Sequence, residues 1–480
     1  MSQRNLVLLI ACGAIALLIQ AVRPNHDVDV FWQVRLGQLA VEQGGPLGGD
    51  LFTATHGGEA VPLVAWLAQI VFALLYEVGG WRLLLAANAT AFAAALVLSA
   101  AMTRPTETST RAVLAALGLG LLMALPHCEI RTQTCGMLAF TSLLWLERAE
   151  GRLRWKLPVA AVILVLWQNM HPSVTLAVLV FGAMAVAEWI AYLRLSRCNT
   201  DAPTVAPWNC TLLALTAMAA TVATPLGTSI FAISAENAQI SRALGISEWL
   251  PLWRLPASGA AMPLWLALGV SGLLVLRLRT QVRAKEWAVL LVLGLASVAV
   301  FRFALFWAVG MVPIWARWIA MVLADRTPSM ADNSRLASVP SAAAVFGTWA
   351  VALGLPWLAD MPVFGPSIPL AAAERLEQLD VRGTVYNYRE WGGPLIFHGG
   401  GRWKVTIDGR LYFFTPEEWQ RYHAIATGSV PVEQVERWYA PSAFFLRPDY
   451  HARFIERLRN SDRWREVYED PYATIFVPRT

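Results

Sequence analysis

Long apolar segments recur along most of this chain, separated by short polar loops. The chain is 56% hydrophobic and 15% charged, whereas a soluble domain averages about 45–50% apolar and about 25% charged residues. Lipid must therefore cover much of its surface. The sequence predicts an α-helical polytopic membrane protein with about eleven spans. The predicted spans are Leu6–Val22, Arg82–Met102, Ala112–Leu125, Met137–Leu146, Leu157–Asn169, Val174–Leu193, Trp208–Ala223, Met262–Leu276, Trp287–Val300, Ala304–Leu323 and Ser341–Leu358.

The charges between the apolar segments predict the orientation of the chain. Leu63–Val78 is short, carries Gln69 and Glu77, and ends at Gly79-Gly80, so we interpret it as a helix along the outer interface. With that segment left out of the count, lysine and arginine residues concentrate in alternate loops. Because cytoplasmic loops are enriched in these residues, the N-terminus is predicted inside and the C-terminus outside.

The composition changes near residue 359, where the long apolar runs stop and charges become frequent. We therefore predict a membrane domain over 1–358, with its first outer loop at 23–81, and a small extracytoplasmic α/β domain over 359–480. Such a domain is large enough to hold its own core. Its predicted elements are helices Ala371–Leu379, Thr415–Ala426 and Tyr450–Arg459, and strands Gly383–Tyr388, Arg402–Asp408, Ser442–Leu446 and Ala473–Val477.

Two acidic residues, Asp27 and Asp29, directly follow the first predicted span. In an extended segment both carboxylates would face one side, which suits a divalent cation such as Mg²⁺ or Mn²⁺. Alternatively, one partly desolvated carboxylate could act as a general base. A third interpretation makes both residues caps of an amphipathic helix over Phe31–Glu42. No basic stretch interleaved with aromatic residues indicates nucleic acid, and the cysteines follow no metal-ligand spacing.

Several short motifs occur in order along nearly the whole chain. They are Asp27–Gln33 with Asp50–Thr53 (similar to D-x-D-x-W-W-H…D-P-F-S/T), Arg131–Gln133 (R-P-Q), Trp167–His171 (W-x-N-x-H), Thr224–Gly227 (N-P-Y-G), Glu248–Pro251 (E-W-x-P) and, in the tail, Tyr386–Gly393 followed by Ile407–Arg410 (D-W-G-G-Y…D-G-R). In this order the motifs resemble those of GT-C-type glycosyltransferase-like membrane proteins of bacteria. The tail string is also similar, more distantly, to the W-W-D-Y-G region of oligosaccharyltransferase catalytic subunits.

This resemblance implies a transferase that moves a sugar from a polyprenyl-phosphate donor to an extracytoplasmic acceptor. It also implies a place in the bacterial inner membrane, with a cytoplasmic N-terminus and a periplasmic C-terminal domain. Asp29 and Asp27 match the acidic pair that activates the acceptor or binds metal. Arg131 and Arg302, at outer ends of spans, are candidates to hold the donor phosphate bidentately. An equally open interpretation is that Glu129 neutralises Arg131.

Four further residues are candidate substrate-binding groups: His171, Trp391, Asp408 and Arg410. We expect the Trp391-Gly392-Gly393 turn and the Asp408–Arg410 segment to form one edge of the tail domain, facing Asp29. The competing interpretation is a hairpin turn in which Asp408 and Arg410 form a local ion pair.

The chain departs from the family pattern at two places. Gln33 stands where the pattern has His, and Val64–Leu67 stands where it has H-E-W-L, so two potential proton carriers or ligands are missing. A non-catalytic membrane scaffold that binds a polysaccharide or protein through its tail is therefore an alternative function. A transporter or flippase is less favoured, because such proteins tend to show internal repeats and none is evident here.

Overall fold

The computed structural model describes residues 3–22, 24–197, 207–324, 342–358 and 362–479. The chain separates into two compact units. The first comprises Met1–Arg23, Leu84–Ala232 and Ser241–Met361, and the second comprises Pro24–Leu83, Ile233–Ile240 and Pro362–Thr480. Contacts thus group the first outer loop with the tail. Residue 359, where the extracytoplasmic domain is predicted to begin, and Ser341, where the last span is predicted to begin, lie outside the described residues.

The first unit is a bundle of α-helices around one buried helix, α12 (Ala304–Ala324). All residues of α12 from Ala304 to Trp318 are buried, and α12 packs against α4 and α11. Gly120 of α4 allows the closest approach, since a Cβ there would lie 2.5 Å from Val312. The α-helices with residues in this unit are α1 (Gln3–Val22), α3 (Trp66–Ala101), α4 (Thr110–Ala124), α5 (Thr132–Arg148), α6 (Leu153–Met170), α7 (Thr175–Arg197), α8 (Trp208–Ala220), α9 (Ser229–Ala243), α10 (Met262–Leu278), α11 (Ala284–Ala299), α12 (Ala304–Ala324) and α13 (Ala342–Leu358).

Six helical segments among the described residues are long and apolar enough to cross a membrane: Gln3–Val22, Trp66–Ala101, Thr110–His127, Thr175–Arg194, Gly259–Leu278 and Phe301–Ala324. The predicted multi-pass helical architecture is therefore confirmed. The remaining predicted spans correspond to helices that are shorter or, like α6, carry two basic residues near one end. The count of eleven spans stays a prediction.

Helix α3 is broken where the sequence predicts a break. Gly79 and Gly80 have non-helical backbone angles, and Gly80 has a φ of +62°. Glycine adopts positive φ without the steric cost that a Cβ imposes. The chain can therefore change direction between the two halves of α3.

The second unit contains a five-stranded sheet in the order β2-β1-β3-β5-β4. β1 runs parallel to both β2 and β3, whereas β5 is antiparallel to β3 and β4. The strands are β1 (Gly383–Asn387), β2 (Trp403–Val405), β3 (Pro441–Leu446), β4 (Trp464–Glu469) and β5 (Thr474–Pro478). The helices are α2 (Asp29–Gln43), α14 (Leu370–Gln378), α15 (Gly392–Gly399), α16 (Pro416–Ala426), α17 (Val432–Tyr439) and α18 (Ala452–Arg459). Helix α17 and strand β4 are not among the elements that the sequence predicts.

The predicted tight turn at Trp391-Gly392-Gly393 is wrong. These residues lead from a 3₁₀ turn into α15, and Gly392 has an ordinary helical φ of −55°. Because β1 and β2 are parallel, they need a crossover element rather than a hairpin turn, and α15 supplies it. Of the two roles that glycine can have here, positive φ or close backbone approach, the structure shows close approach, since a Cβ on Gly392 would lie 2.5 Å from the carbonyl oxygen of Ile407.

The predicted helix over Thr415–Ala426 is confirmed as α16. Thr415 caps α16 by accepting a hydrogen bond from the backbone N–H of Glu418, and the Glu418 side chain returns one to the Thr415 N–H. This reciprocal pair is a capping box, which the sequence Thr415-Pro416-Glu417-Glu418 predicts, since it has Thr at the N-cap and Glu three residues later. The first outer loop pairs with the tail through short parallel bridges, Asn25 with Phe364 and Thr53 with Val405.

Candidate functional site

Two arginines and one glutamate form a charged cluster in the first unit. Arg131 precedes α5, Arg302 lies in the 3₁₀ turn before α12, and Glu248 lies in the 3₁₀ turn Ser247–Trp249. The Glu248 carboxylate pairs with Arg131, and its Oε1 is 3.8 Å from Nη1 of Arg302. One carboxylate thus holds two guanidinium groups close together, although they come from distant parts of the sequence.

Neighbouring side chains fix the position of Arg302. The amide of Gln133 donates to the Arg302 carbonyl oxygen at 2.9 Å, and its Oε1 accepts from Nη2 at 3.4 Å. The guanidinium carbon lies 4.3 Å from the ring centroid of Trp249. A guanidinium held over an indole ring gains a cation–π attraction. Arg302 is therefore oriented by contacts on several sides.

The electrostatics of the cluster keep Glu248 ionised and His171 neutral. Burial would raise the pKa of Glu248, but Arg131 and Arg302 hold it at about 2. Burial lowers the pKa of His171 to about 3, and the charge of Arg302 adds to this effect. Nδ1 of His171 is 2.7 Å from the Ser173 hydroxyl. The structure thus couples three of the predicted site residues, His171, Arg131 and Arg302.

The main partner of these arginines was not predicted. Glu129, the partner that the alternative interpretation gives to Arg131, does lie 3.8 Å from it, but Glu248 contacts both arginines. Glu248 begins the segment that resembles E-W-x-P, and that resemblance was the only signal in the sequence that could have found it.

In the second unit, the acidic pair organises the start of α2. The carboxylate of Asp27, a residue only 4% exposed, accepts the backbone N–H of Asp29 at 2.7 Å. Asp29 is the first residue of α2, and its Oδ1 accepts the indole N–H of Trp32 at 3.0 Å. The expectation of an extended segment is wrong, because helical geometry begins at Asp29. Its half-buried carboxylate lies where the helix dipole favours negative charge.

The divalent-cation site predicted from the sequence consists of two carboxylates, those of Asp27 and Asp29. Among the described residues, no group of three or more His, Cys, Asp and Glu side chains is arranged to hold a metal ion. The Asp27 carboxylate is already engaged in the hydrogen bond to the Asp29 backbone.

Arg410 is buried between two carboxylates. It is 1% exposed and donates through Nη2 to Asp408 at 2.6 Å and through Nη1 to Asp50 at 2.7 Å. Burial would raise the pKa of Asp50, but the Arg410 charge and hydrogen bonds from Thr53 lower it. The local Asp408–Arg410 ion pair is present, but no hairpin surrounds it. Its contact with Asp50 connects the tail to the first outer loop, and a role in substrate binding stays a prediction.

The tail motifs lie against the segment that holds Asp29, as predicted. A Cβ on Gly409 would lie 1.9 Å from Oδ1 of Asp29, and one on Gly393 would lie 2.3 Å from the carbonyl oxygen of Val28. Trp391, however, is 3% exposed and packs edge-on against Phe445. Its ring belongs to the core, which leaves little surface for stacking on a sugar.

Comparison with known proteins identifies the fold. No protein-family model and no curated protein matches the chain significantly. The apo oligosaccharyltransferase of Archaeoglobus fulgidus aligns with a TM-score of 0.52 at 12% identity, covering 93% of this chain and 70% of that one. The arabinofuranosyltransferase AftD from Mycobacteria aligns with a TM-score of 0.54 at 16% identity. That alignment covers all of this chain but 40% of AftD. Both neighbours are GT-C glycosyltransferases.

Proposed function

We propose, on the premise that this membrane protein has a GT-C-like fold, that it transfers a sugar from a polyprenyl-phosphate donor to an extracytoplasmic acceptor. The observation that carries the proposal is the arginine pair held by Glu248. Guanidinium groups bind phosphate oxygens bidentately, and an indole ring beside one of them orders it. Such a pair is suited to stabilise the negative charge that develops on a departing phosphate.

In the proposed reaction, an acceptor hydroxyl attacks the anomeric carbon of the donor sugar. The bond between that carbon and the phosphate oxygen breaks, and the polyprenyl phosphate leaves with the electron pair. Asp29 takes the proton of the attacking hydroxyl as general base. Arg131 and Arg302 bind the phosphate, and neutral His171 adds no positive charge of its own. Asp27 holds the backbone at Asp29.

Substitution of Arg302 tests this proposal. Arg302→Gln removes the charge, and Arg302→Lys keeps the charge but loses the planar fork. Removal of one preorganised stabilising group typically costs about 100- to 1,000-fold in rate, so we expect such a loss for Arg302→Gln and an intermediate loss for Arg302→Lys. The measurement is transfer of radiolabelled sugar in membranes supplied with lipid-linked donors.

Arg254→Gln is the matched control, because Arg254 is an exposed arginine in a neighbouring 3₁₀ turn. It should retain transfer. Unchanged transfer by well-inserted Arg302→Gln would contradict the assignment of the arginine pair. If no donor supports transfer by the wild-type protein, the non-catalytic scaffold that uses its tail for binding becomes the better account.

A further inference from the structure

A polar cavity lies in the first unit, at the end of α5 away from the arginine pair. It has a volume of about 1220 Å³. Helix α5 begins next to Arg131 and ends at Arg148, which lines the cavity. Since an α-helix rises 1.5 Å per residue, these ends are about 25 Å apart. The cavity is therefore separate from the arginine pair of the proposed donor site.

Most charges in the cavity wall compensate one another. Lys285 donates to the buried carboxylate of Glu147 and to Glu188, both at 2.6 Å. Arg317 pairs with Glu286. Because of these ion pairs, the cavity wall has no large excess of positive or negative charge. The cavity therefore does not attract a small anion strongly.

Arg148 and Glu150 differ from the rest of the wall. Both line the cavity and are exposed, and neither forms an ion pair within the part of the chain that the structure describes. The polar contact of Arg148 is the thioether of Met102, 3.7 Å from Nη1. Two unlike charges, two residues apart, thus face the same space.

Aromatic side chains complete this part of the wall. Trp145 is 46% exposed and Trp155 is 39% exposed, and both line the cavity. Tryptophan is enriched where membrane-spanning helices meet lipid head groups. The cavity lies at such helix ends, since it also includes Glu188 and Tyr192 near the end of the candidate span Thr175–Arg194.

We propose that this cavity binds the head group of a zwitterionic, amine-bearing phospholipid. Arg148 would bind the phosphodiester and Glu150 the ammonium group, with the two tryptophans beside the glycerol region. An anionic lipid would satisfy Arg148 but would leave its negative charge near Glu150. The volume accommodates such a head group, because ligand pockets typically measure about 300–1,000 Å³.

Native mass spectrometry of the delipidated full-length protein tests this proposal. Phosphatidylethanolamine, phosphatidylglycerol and inorganic phosphate are titrated separately against wild type, Arg148→Gln, Glu150→Gln and the control Arg152→Gln. Arg152 is exposed on the same connection but does not line the cavity. We expect wild type and Arg152→Gln to prefer phosphatidylethanolamine. Arg148→Gln should weaken the binding of phosphatidylethanolamine about tenfold, because it removes roughly one charge-assisted hydrogen bond.

Glu150→Gln separates the zwitterion from an anion. It should weaken phosphatidylethanolamine binding and strengthen phosphatidylglycerol binding. Tighter binding of phosphatidylglycerol than phosphatidylethanolamine by wild type would overturn the assignment of the head group. If Arg148→Gln and Arg152→Gln bound phosphatidylethanolamine equally, the assignment of this cavity as the lipid site would be wrong. It would also be wrong if inorganic phosphate saturated the wild-type protein and lipid bound no better than phosphate. Monodisperse elution of each variant verifies that it is folded.

Discussion

At the scale of single residues, the carboxylates of Asp29 and Glu248 have different partners. Asp29 is a half-buried carboxylate at a helix N-terminus, in contact with an indole N–H. Glu248 is held ionised by two guanidinium groups. A carboxylate whose pKa is strongly lowered accepts a proton poorly at neutral pH. Of the two, Asp29 is thus the better general base, and Glu248 is a positioning residue for the arginines.

Asp29→Asn should leave the protein folded and inserted but remove its transferase activity. Loss of a general base typically costs about 100- to 10,000-fold in rate, whereas loss of a capping side chain costs about 1 kcal/mol of stability. The measurement is sugar transfer by membranes containing equal amounts of each variant, with exposed Asp462→Asn as the control. Normal turnover by Asp29→Asn would contradict the assignment and favour the scaffold function.

Glu248→Gln should destabilise the protein in a pH-dependent way. The folded-state pKa of Glu248 is about 2, below its ordinary value of 4.5. Its ionisation therefore stabilises the fold above about pH 4.5, and this contribution is lost as pH falls towards 2. The thermal unfolding temperature of the variant should lie below that of wild type at pH 7, and the gap should narrow from pH 5 to pH 3. If the difference in unfolding temperature between wild type and Glu248→Gln did not change with pH, loss of this ion pair would not be the cause of that difference.

At the scale of elements, the start of α2 and the tail segment around Gly409 depend on one close contact. A Cβ at Gly409 would lie 1.9 Å from the Asp29 carboxylate oxygen, so any larger residue must displace either the Asp29 carboxylate or the tail segment. Buried ion pairs of Arg410 with Asp408 and Asp50 join the same tail segment to a later part of the first outer loop. Breaking such a pair strands a buried charge, which makes this junction sensitive to substitution.

Gly409→Ala should therefore lower both the unfolding temperature and the transfer rate. Gly48→Ala is the control, since Gly48 lies in the same unit and a Cβ there meets nothing within 4 Å. Differential scanning fluorimetry and the transfer assay compare the two variants. If Gly409→Ala and Gly48→Ala had equal unfolding temperatures and equal transfer rates, the contact at Gly409 would not constrain Asp29.

His56 joins the first outer loop to α16 through a second, pH-sensitive contact. Its ring lies 3.0 Å from Glu59 and 2.9 Å from Glu418, the residue that also completes the α16 capping box. Burial lowers the pKa of His56, but the two carboxylates outweigh it and raise the pKa above 6.5. The protonated ring therefore stabilises the fold fully below pH 6.5, and this stabilisation is lost as pH rises through the higher folded-state pKa.

Wild type should accordingly lose more thermal stability than His56→Gln between pH 6 and pH 9. The glutamine keeps hydrogen-bonding capacity but cannot titrate, so its unfolding temperature should change less. Parallel pH profiles for the two proteins would mean that His56 is not protonated in the folded state.

At the scale of the whole molecule, the orientation in the membrane is the prediction with the widest consequences. Because basic residues concentrate in alternate loops, a reporter fused after Lys156 should be cytoplasmic and one fused after Thr480 should be extracytoplasmic. Paired alkaline phosphatase and green fluorescent protein fusions measure both positions. A cytoplasmic C-terminus would contradict the eleven-span arrangement and the outer location of Asp29.

The sequence by itself determined the membrane class, the broken helix at Gly79-Gly80 and the capping box at Thr415, because each depends on residues close together in the chain. The order of short motifs also indicated the GT-C-like fold. Only the tertiary structure decided that Glu248 neutralises Arg131, 117 positions away, or that Asp50 joins Arg410 across 360 positions. It likewise decided that β1 and β2 are parallel. Charge pairing and strand direction depend on which distant segments meet in space, and local spacing does not encode that.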